Sequence, residues 1–99
     1  MPFARHSGYS FTVFSVRQNA PRSGGIYGLS NAQGWIYIHA VDDICGALLD
    51  HLNERNPAPD FRAVTGFTFE VCDYSERVQR CSRLIEELRP MFGGREQQQ

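Results

Sequence analysis

The stretch GGIYGLSNAQGWIYIHAVDDI, residues 24–44, decides the fold of this chain. Two Ile-Tyr pairs, at 26–27 and 36–37, flank a short polar segment at 31–34 that ends in Gly34. A polar segment of this length between two apolar runs is typical of a tight β-hairpin, because glycine can adopt the positive φ that such turns require. The pattern therefore predicts a hairpin with Gly34 at positive φ.

The two strands of this hairpin are predicted over 26–30 and 35–39. Successive side chains of a strand point to opposite faces of the sheet. In the second strand, this alternation predicts that Tyr37 shares a face with Trp35 and His39.

Two further segments have the composition of strands. Residues 11–16 (FTVFSV) are rich in β-branched and aromatic types, which predicts a first strand or an extended arm. Residues 66–72 (GFTFEVC) alternate, and they place Phe67, Phe69 and Val71 on one face.

Apolar residues at three- and four-residue spacing predict two helices. The first is capped by an aspartate of the pair at 42–43 and runs to about Glu54. The second begins with Asp73 or Ser75 and ends before Pro90. The apolar stripes are Ile44, Cys45, Leu48, Leu49 and Leu52 in the first helix, and Val78, Cys81, Leu84, Ile85 and Leu88 in the second.

The order strand, hairpin, helix, strand, helix predicts a fold of the α/β (α+β) class. We expect a small three- to four-stranded mixed sheet flanked by helices. A chain of 99 residues is long enough for one such domain, which we assign to 1–99. Its core is expected over about 11–93, with a flexible polar tail at 94–99.

Composition limits the functions that the chain can have. The net charge of −1 does not favour nucleic-acid binding through overall charge, so any such binding has to come from clustered arginines. No apolar run approaches the roughly 20 residues needed to span a membrane, and we find no signal-peptide core. We therefore expect a cytoplasmic protein without a membrane partner.

The three cysteines, Cys45, Cys72 and Cys81, show no CxxC or other metal-ligand spacing. Their number is odd, and the composition is that of an intracellular domain. We expect them to be buried free thiols.

The motifs of the opening stretch resemble those of a known superfamily. Gly25-Ile26-Tyr27 followed by Tyr37-Ile38 is similar to the signature of the GIY-YIG nucleases. The segments DDI…LLDHL (42–52) and RLIEELRP (83–90) are similar to two helices of the same superfamily. The resemblance covers about 11–93 and implies a GIY-YIG nuclease-like fold.

The resemblance also implies a chemistry, which is phosphodiester cleavage assisted by one divalent metal ion, Mg²⁺ or Mn²⁺. In the superfamily, both tyrosines organise the attacking water or the scissile phosphate, a helical arginine neutralises phosphate charge, and a glutamate on a late helix holds the metal. Those tyrosines correspond to Tyr27 and Tyr37. Ungapped counting places His39 at the closing glycine of the second motif, Ala47 at the arginine and Cys81 at the metal-binding glutamate.

These substitutions predict a catalytically degenerate site. No carboxylate stands three or four residues from Cys81, so a neighbour on the helix does not replace the lost oxygen ligand that Mg²⁺ requires. Loss of one electrostatic stabiliser typically lowers the rate by about 10²–10³, and loss of the metal ligand by more. We therefore expect no cofactor, unless the nuclease chemistry survives with Mg²⁺ or Mn²⁺.

The partner expected from the resemblance is DNA or RNA, bound weakly through Arg77, Arg80 and Arg83 on the second long helix. The alternative is a solvated helix face whose arginines pair with Glu76, Glu86 and Glu87. Two other functions stay open. One is a protein-interaction module that uses the old cleft or an exposed edge strand, and the other is an active endonuclease with rearranged ligands.

The histidines have two interpretations at this point. His39, His51 and Cys81 are all expected near the cleft of the fold, where a His/Cys set would suit Zn²⁺. The simpler interpretation is that His39 ends a strand, His51 lies on the surface of its helix and Cys81 is a small core residue. Tyr27 and Tyr37 likewise line a relict pocket or are core aromatics of the hairpin.

Overall fold

The computed structural model describes residues 8–53 and 64–90. Within them, the elements in chain order are β1 (Tyr9–Ser10), α1 (Val13–Asn19), β2 (Gly25–Asn31), β3 (Gly34–Val41), α2 (Ile44–Leu52), β4 (Gly66–Val71) and α3 (Tyr74–Leu88). The strands form one sheet in the order β1-β4-β2-β3. The predicted α+β class is confirmed; the expected tail at 94–99 lies outside the described residues.

The sheet is antiparallel throughout, whereas we expected a mixed sheet. Each neighbouring pair, β1 with β4, β4 with β2 and β2 with β3, is antiparallel. Strands β3 and β4 run in the same direction, but β2 lies between them. No parallel pair is therefore made among the described strands.

The hairpin forms as predicted, with strands longer by one or two residues at each end. Gly34 has a φ of 140°, which confirms the predicted positive value. The Asn31 side chain stabilises the turn, since its Oδ1 accepts a hydrogen bond from the backbone N–H of Gln33 at 2.8 Å.

A β-bulge in β3 overturns the predicted position of Trp35. Leu29 pairs with Tyr37, but the next residue, Ser30, pairs with Trp35, so Ile36 is an extra residue. The bulge shifts the alternation by one. Trp35 therefore packs on the sheet face opposite Tyr37, and Ile36 is buried on the same side as Tyr37.

The strand predicted over 11–16 is wrong, because most of that segment belongs to α1. Thr12 caps the helix, and its Oγ1 accepts a hydrogen bond from the N–H of Ser15 at 3.1 Å. Val16 is fully buried and supplies the packing that holds this short helix. The strand-forming composition reflected local propensity, which the cap and the tertiary contact outweigh.

Helices α2 and α3 form close to the predicted limits. Asp43 caps α2, where its Oδ1 accepts a hydrogen bond from the N–H of Gly46 at 3.1 Å. Helix α3 follows Asp73 and ends at Leu88, before Pro90 as predicted. Among the described residues, no helix has the length and apolar character needed to cross a membrane.

The helices cover the two faces of the sheet, α1 and α2 on one and α3 on the other. The first face buries Tyr27 and Leu29 against residues of α1 and α2 such as Val16 and Leu48. The second face buries Ile26, Ile38, Cys81 and Leu84 under α3. Val78, predicted in the α3 stripe, is instead 73% exposed.

All three cysteines are free thiols, as predicted. Cys45 and Cys81 are buried, and Cys72 is half-buried at the end of β4. Burial raises the pKa of the Cys72 thiol, and the nearby carboxylates of Glu70 and Glu76 raise it further. Cys72 is therefore a weak nucleophile at neutral pH.

Candidate functional site

Four aromatic and imidazole rings meet on the sheet face that α2 covers. They belong to Tyr27, Tyr37, His39 and His51, and we call them the Tyr-His cluster. The Tyr27 ring centroid lies 5.5 Å from that of His51 and 6.3 Å from those of Tyr37 and His39. Tyr37 stacks on His39 at 5.6 Å and meets His51 at 6.1 Å, nearly perpendicular.

The hairpin and α2 bring these rings together. Tyr27 of β2 and His39 of β3 are direct cross-strand partners, and Tyr37 is two residues from His39 on the same face. Helix α2 contributes His51 from its last turn. His51 lies three residues after the buried Leu48, so the periodicity of the helix turns it toward the sheet.

The centre of the cluster is a buried hydrogen bond between Tyr27 Oη and His51 Nε2. Tyr27 is 1% exposed and His51 is 3% exposed, whereas Tyr37 and His39 are half-buried. A phenol donates to a neutral imidazole nitrogen or accepts from its N–H, depending on the tautomer. The pair therefore shares a proton in a hydrogen bond that is shielded from solvent.

The simpler interpretations of the two histidines are wrong. His51 is buried beside Tyr27 rather than on the helix surface, and His39 lies inside β3 rather than at its end. The signal that would have found His51 was in the sequence, because it continues the stripe of Ile44 and Leu48 at the next turn of the helix.

The structure separates Cys81 from the two histidines. Cys81 is 8% exposed and packs with Ile26, Ile38 and Leu84, under α3 on the opposite face of the sheet. It does not join the cluster as the zinc hypothesis required. Across 8–53 and 64–90, no group of three or more His, Cys, Asp or Glu side chains is arranged to hold a metal ion.

Ala47, in contrast, lies on the same side as the Tyr-His cluster. It is half-buried in α2, one turn before His51, and packs against the core cluster that contains Tyr27. The position that the resemblance gives to a phosphate-binding arginine therefore lies on the side of the Tyr-His cluster, but its side chain is a methyl group.

The arginines of α3 are largely engaged with carboxylates. Arg77 Nη1 donates to Asp42 at 2.6 Å, and Arg77 is 11% exposed. Arg80 donates to both carboxylate oxygens of Glu70, at 2.8 and 3.0 Å, and this hydrogen bonding raises the pKa of its guanidinium. Arg83 is exposed. The carboxylates that accept these hydrogen bonds are Asp42 and Glu70, and Glu87 of α3 adds an electrostatic attraction to Arg80.

Comparison with solved structures identifies proteins of the same fold. The N-terminal GIY-YIG endonuclease domain of UvrC from Thermotoga maritima, in a variant bound to its catalytic divalent cation, superposes with a TM-score of 0.65. The two chains are 24% identical over 78% of this chain and 92% of that one. The magnesium-bound form of that domain gives a TM-score of 0.62, also at 24% identity and with 78% and 93% coverage. No protein-family model and no curated protein sequence matches this chain.

Three structures of that UvrC domain carry single Tyr-to-Phe substitutions. The substituted tyrosines are separated by ten and then by fourteen residues. The same intervals separate Tyr27, Tyr37 and His51 in this chain. In backbone, the chain has the fold of a GIY-YIG endonuclease domain.

Proposed function

We propose that this domain is a catalytically degenerate GIY-YIG nuclease-like domain that binds nucleic acid without cutting it. The proposal combines a fold similar to that of an endonuclease domain with a site that has kept its rings and changed its charged groups. The observation that carries it is the placement of Cys81, a buried thiol packed among Ile26, Ile38 and Leu84.

The residues at the site do not fit a magnesium or manganese ion. Such ions take oxygen ligands in near-octahedral geometry, and the position that the resemblance gives to the metal ligand holds a thiol. That thiol points into an apolar cluster on the other face of the sheet from Tyr27. We therefore derive no reaction step through a metal ion.

The rings that remain at the site can bind a single-stranded nucleic acid. Tyr37 and His39 are half-buried rings that stack on each other, and they are less buried than Tyr27 and His51. Aromatic faces of this kind stack with bases in single-stranded nucleic acids, at about 1–3 kcal/mol per base. The rings of Tyr37 and His39 are therefore the proposed contact for an unpaired base.

The second candidate is a hydrolase that retains activity by another route. The observation that favours it is the buried hydrogen bond between Tyr27 and His51, because an imidazole that orients a phenol is a plausible proton-transfer pair. This candidate requires that the pair activate water without the positive charge and metal ligand that the resemblance implies.

Cleavage separates the two candidates. Purified protein is incubated with supercoiled plasmid and with single-stranded DNA, in Mg²⁺ and separately in Mn²⁺. A Tyr27→Phe variant and a His51→Gln variant serve as matched controls. The degenerate domain gives no cleavage above the level of either variant. Cleavage that both variants lose would refute degeneracy and establish the second candidate.

Binding is measured by fluorescence anisotropy of labelled single- and double-stranded DNA between about 50 and about 200 mM salt. We expect weak binding that falls as salt rises, with single strands preferred. Absence of binding at low salt would refute the nucleic-acid role and favour the protein-interaction module.

A further inference from the structure

Arg22 is a cation that neither the motif pattern nor the helix periodicity singles out. It lies in the loop between α1 and β2, and its Nη1 donates to Asp43 Oδ2 at 2.7 Å. The backbone on each side of it is fixed, because the carbonyl of Ser23 accepts from the N–H of Ile44 and the carbonyl of Pro21 from the N–H of Cys45, both at 3.0 Å. The loop thus holds Arg22 against the first turn of α2.

The N-terminal N–H groups of α2 are already occupied. Ile44 and Cys45 donate to the loop carbonyls, and Gly46 donates to Asp43 Oδ1 at 3.1 Å. An anion at this position would therefore meet the guanidinium of Arg22 rather than the helix backbone.

Arg22 is held loosely, unlike the two paired arginines of α3. Its side chain is 66% exposed and that of Asp43 is 43% exposed, whereas the side chains of Arg77 and Arg80 are 11% and 21% exposed. Exposed ion pairs are worth about 0–1 kcal/mol. Asp43 also keeps its capping hydrogen bond to Gly46 without Arg22, so the guanidinium can exchange a carboxylate for a phosphate at little cost.

Arg22 lies beside the helix that also carries His51 of the Tyr-His cluster. A Cβ on Gly46 would be 3.7 Å from Arg22 Nη1, which places the guanidinium beside that residue of α2. His51 follows five residues later, or about 7.5 Å along the helix axis at 1.5 Å per residue.

We propose that Arg22 is a phosphate-binding residue of this domain. On binding, its guanidinium leaves Asp43 and donates two N–H groups to a backbone phosphate of the strand whose base stacks on the Tyr-His cluster. The inference rests on the proposed nucleic-acid binding and assigns its main electrostatic contact to the α1–β2 loop instead of α3.

The test is the salt dependence of DNA binding for three variants. Arg22→Gln removes the charge and keeps a polar side chain of similar shape. Arg89→Gln is the matched control, since it removes an exposed arginine twelve residues beyond Arg77, about 18 Å along α3. Asp43→Asn keeps a good helix cap and releases Arg22 from its competing carboxylate.

For Arg22→Gln, the slope of log K against log salt should become shallower by about 0.7 for single strands, the value for one lost phosphate contact. Affinity near 0.1 M salt should fall about fivefold. Arg89→Gln should keep the wild-type slope and affinity. Asp43→Asn should bind up to about fivefold more tightly, a gain that a merely structural role for Arg22 does not produce.

The outcomes separate this inference from the proposed function. If wild-type protein binds and Arg22→Gln keeps its slope, the inference is wrong and the nucleic-acid role stands. If Asp43→Asn binds no more tightly than wild type, the exchange of carboxylate for phosphate is wrong. If wild-type protein fails to bind at low salt, both proposals fail. Thermal melts of all three variants are expected within a few degrees of wild type, which excludes unfolding as the cause of any change.

Discussion

Replacing Gly25 by alanine tests why the first motif begins with glycine. Gly25 pairs with Val71 of β4 at the end of the sheet where α2 begins. A Cβ on this residue would lie 2.9 Å from the Cα of Val71 and 3.0 Å from Cδ1 of Ile44, and closer still to the carbonyl oxygen of Glu70. The glycine is therefore required for close approach of β2, β4 and α2.

The loss of folding stability in Gly25→Ala follows from these contacts. Non-bonded carbons prefer separations of about 3.5–4.0 Å, so the strands would have to move apart by most of an ångström against their own hydrogen bonds. Two of the three obstructing atoms belong to the backbone of β4 and cannot rotate away. Overpacking typically costs about 1–3 kcal/mol, and we expect a value near the upper end, about 3 kcal/mol. For a domain of this size, that loss lowers the melting temperature by roughly 12–24 °C.

Urea unfolding followed by the fluorescence of Trp35, the single tryptophan, measures the effect together with thermal melts by circular dichroism. Gly8→Ala is the matched control, because a Cβ there meets nothing within 4 Å and its cost should stay within about 0.5 kcal/mol. A Gly25→Ala variant that melts within a few degrees of wild type would show that the close approach does not limit stability.

Three further changes have defined outcomes. Cys81→Glu restores the carboxylate that the resemblance implies, and it should lower the free energy of unfolding in urea by about 3 kcal/mol or more because it buries a charge beside Leu84. Plasmid nicking by this variant in Mg²⁺ should stay at background, and nicking above background would contradict the placement of Cys81. Because the pKa of Cys72 is raised in the folded state, the stability that the thiol contributes is present below about pH 8.5 and is lost as pH rises through the folded pKa. Above about pH 8.5, the free energy of unfolding of Cys72→Ser should therefore fall less steeply with pH than that of wild type. An equal fall in both proteins would exclude Cys72 as the cause. Glu70→Gln should cost about 2 kcal/mol of stability in thermal melts, since Arg80 loses its charge-assisted hydrogen-bonded partner. The double variant Glu70→Gln with Arg80→Met should recover part of that loss. Equal stability of Glu70→Gln and wild type would show that the pair contributes nothing.

The hairpin, α2 and α3 were predictable because each has a local signal that tertiary packing reinforces. The turn at Gly34 needs positive φ, Asp43 offers a cap, and the apolar stripes have helical spacing. Helix α1 was not predictable from composition, since its strand-forming residues are outweighed by one cap at Thr12 and one buried contact at Val16.

The candidate site was predictable in part. The interval between Tyr27 and Tyr37 indicated the fold, and the structure places both rings on one face of the sheet. The helix stripe favours burial of His51, but the sequence alone is equally consistent with a surface histidine until its partner Tyr27 is located. Arg22 could not be found from the sequence, because its place over α2 depends on two backbone hydrogen bonds between a loop and a helix that begins 22 residues later.

The extra residue in β3 divides the hairpin into two parts with different tolerance to change. Between the bulge and α2, the pairing of Tyr27 with His39 fixes the register, and a single insertion there would turn one of the rings away from the other. On the side of the bulge toward the turn, the two strands are already shifted by one residue. The length of the turn can therefore vary without moving the rings of the Tyr-His cluster. Peptide grafts and loop exchanges made at the tip, around Ala32 and Gln33, should therefore leave the chemistry of the sheet face intact, and deletion of Ile36 would restore a regular ladder in which Trp35 still pairs with Ser30 on the same face of the sheet.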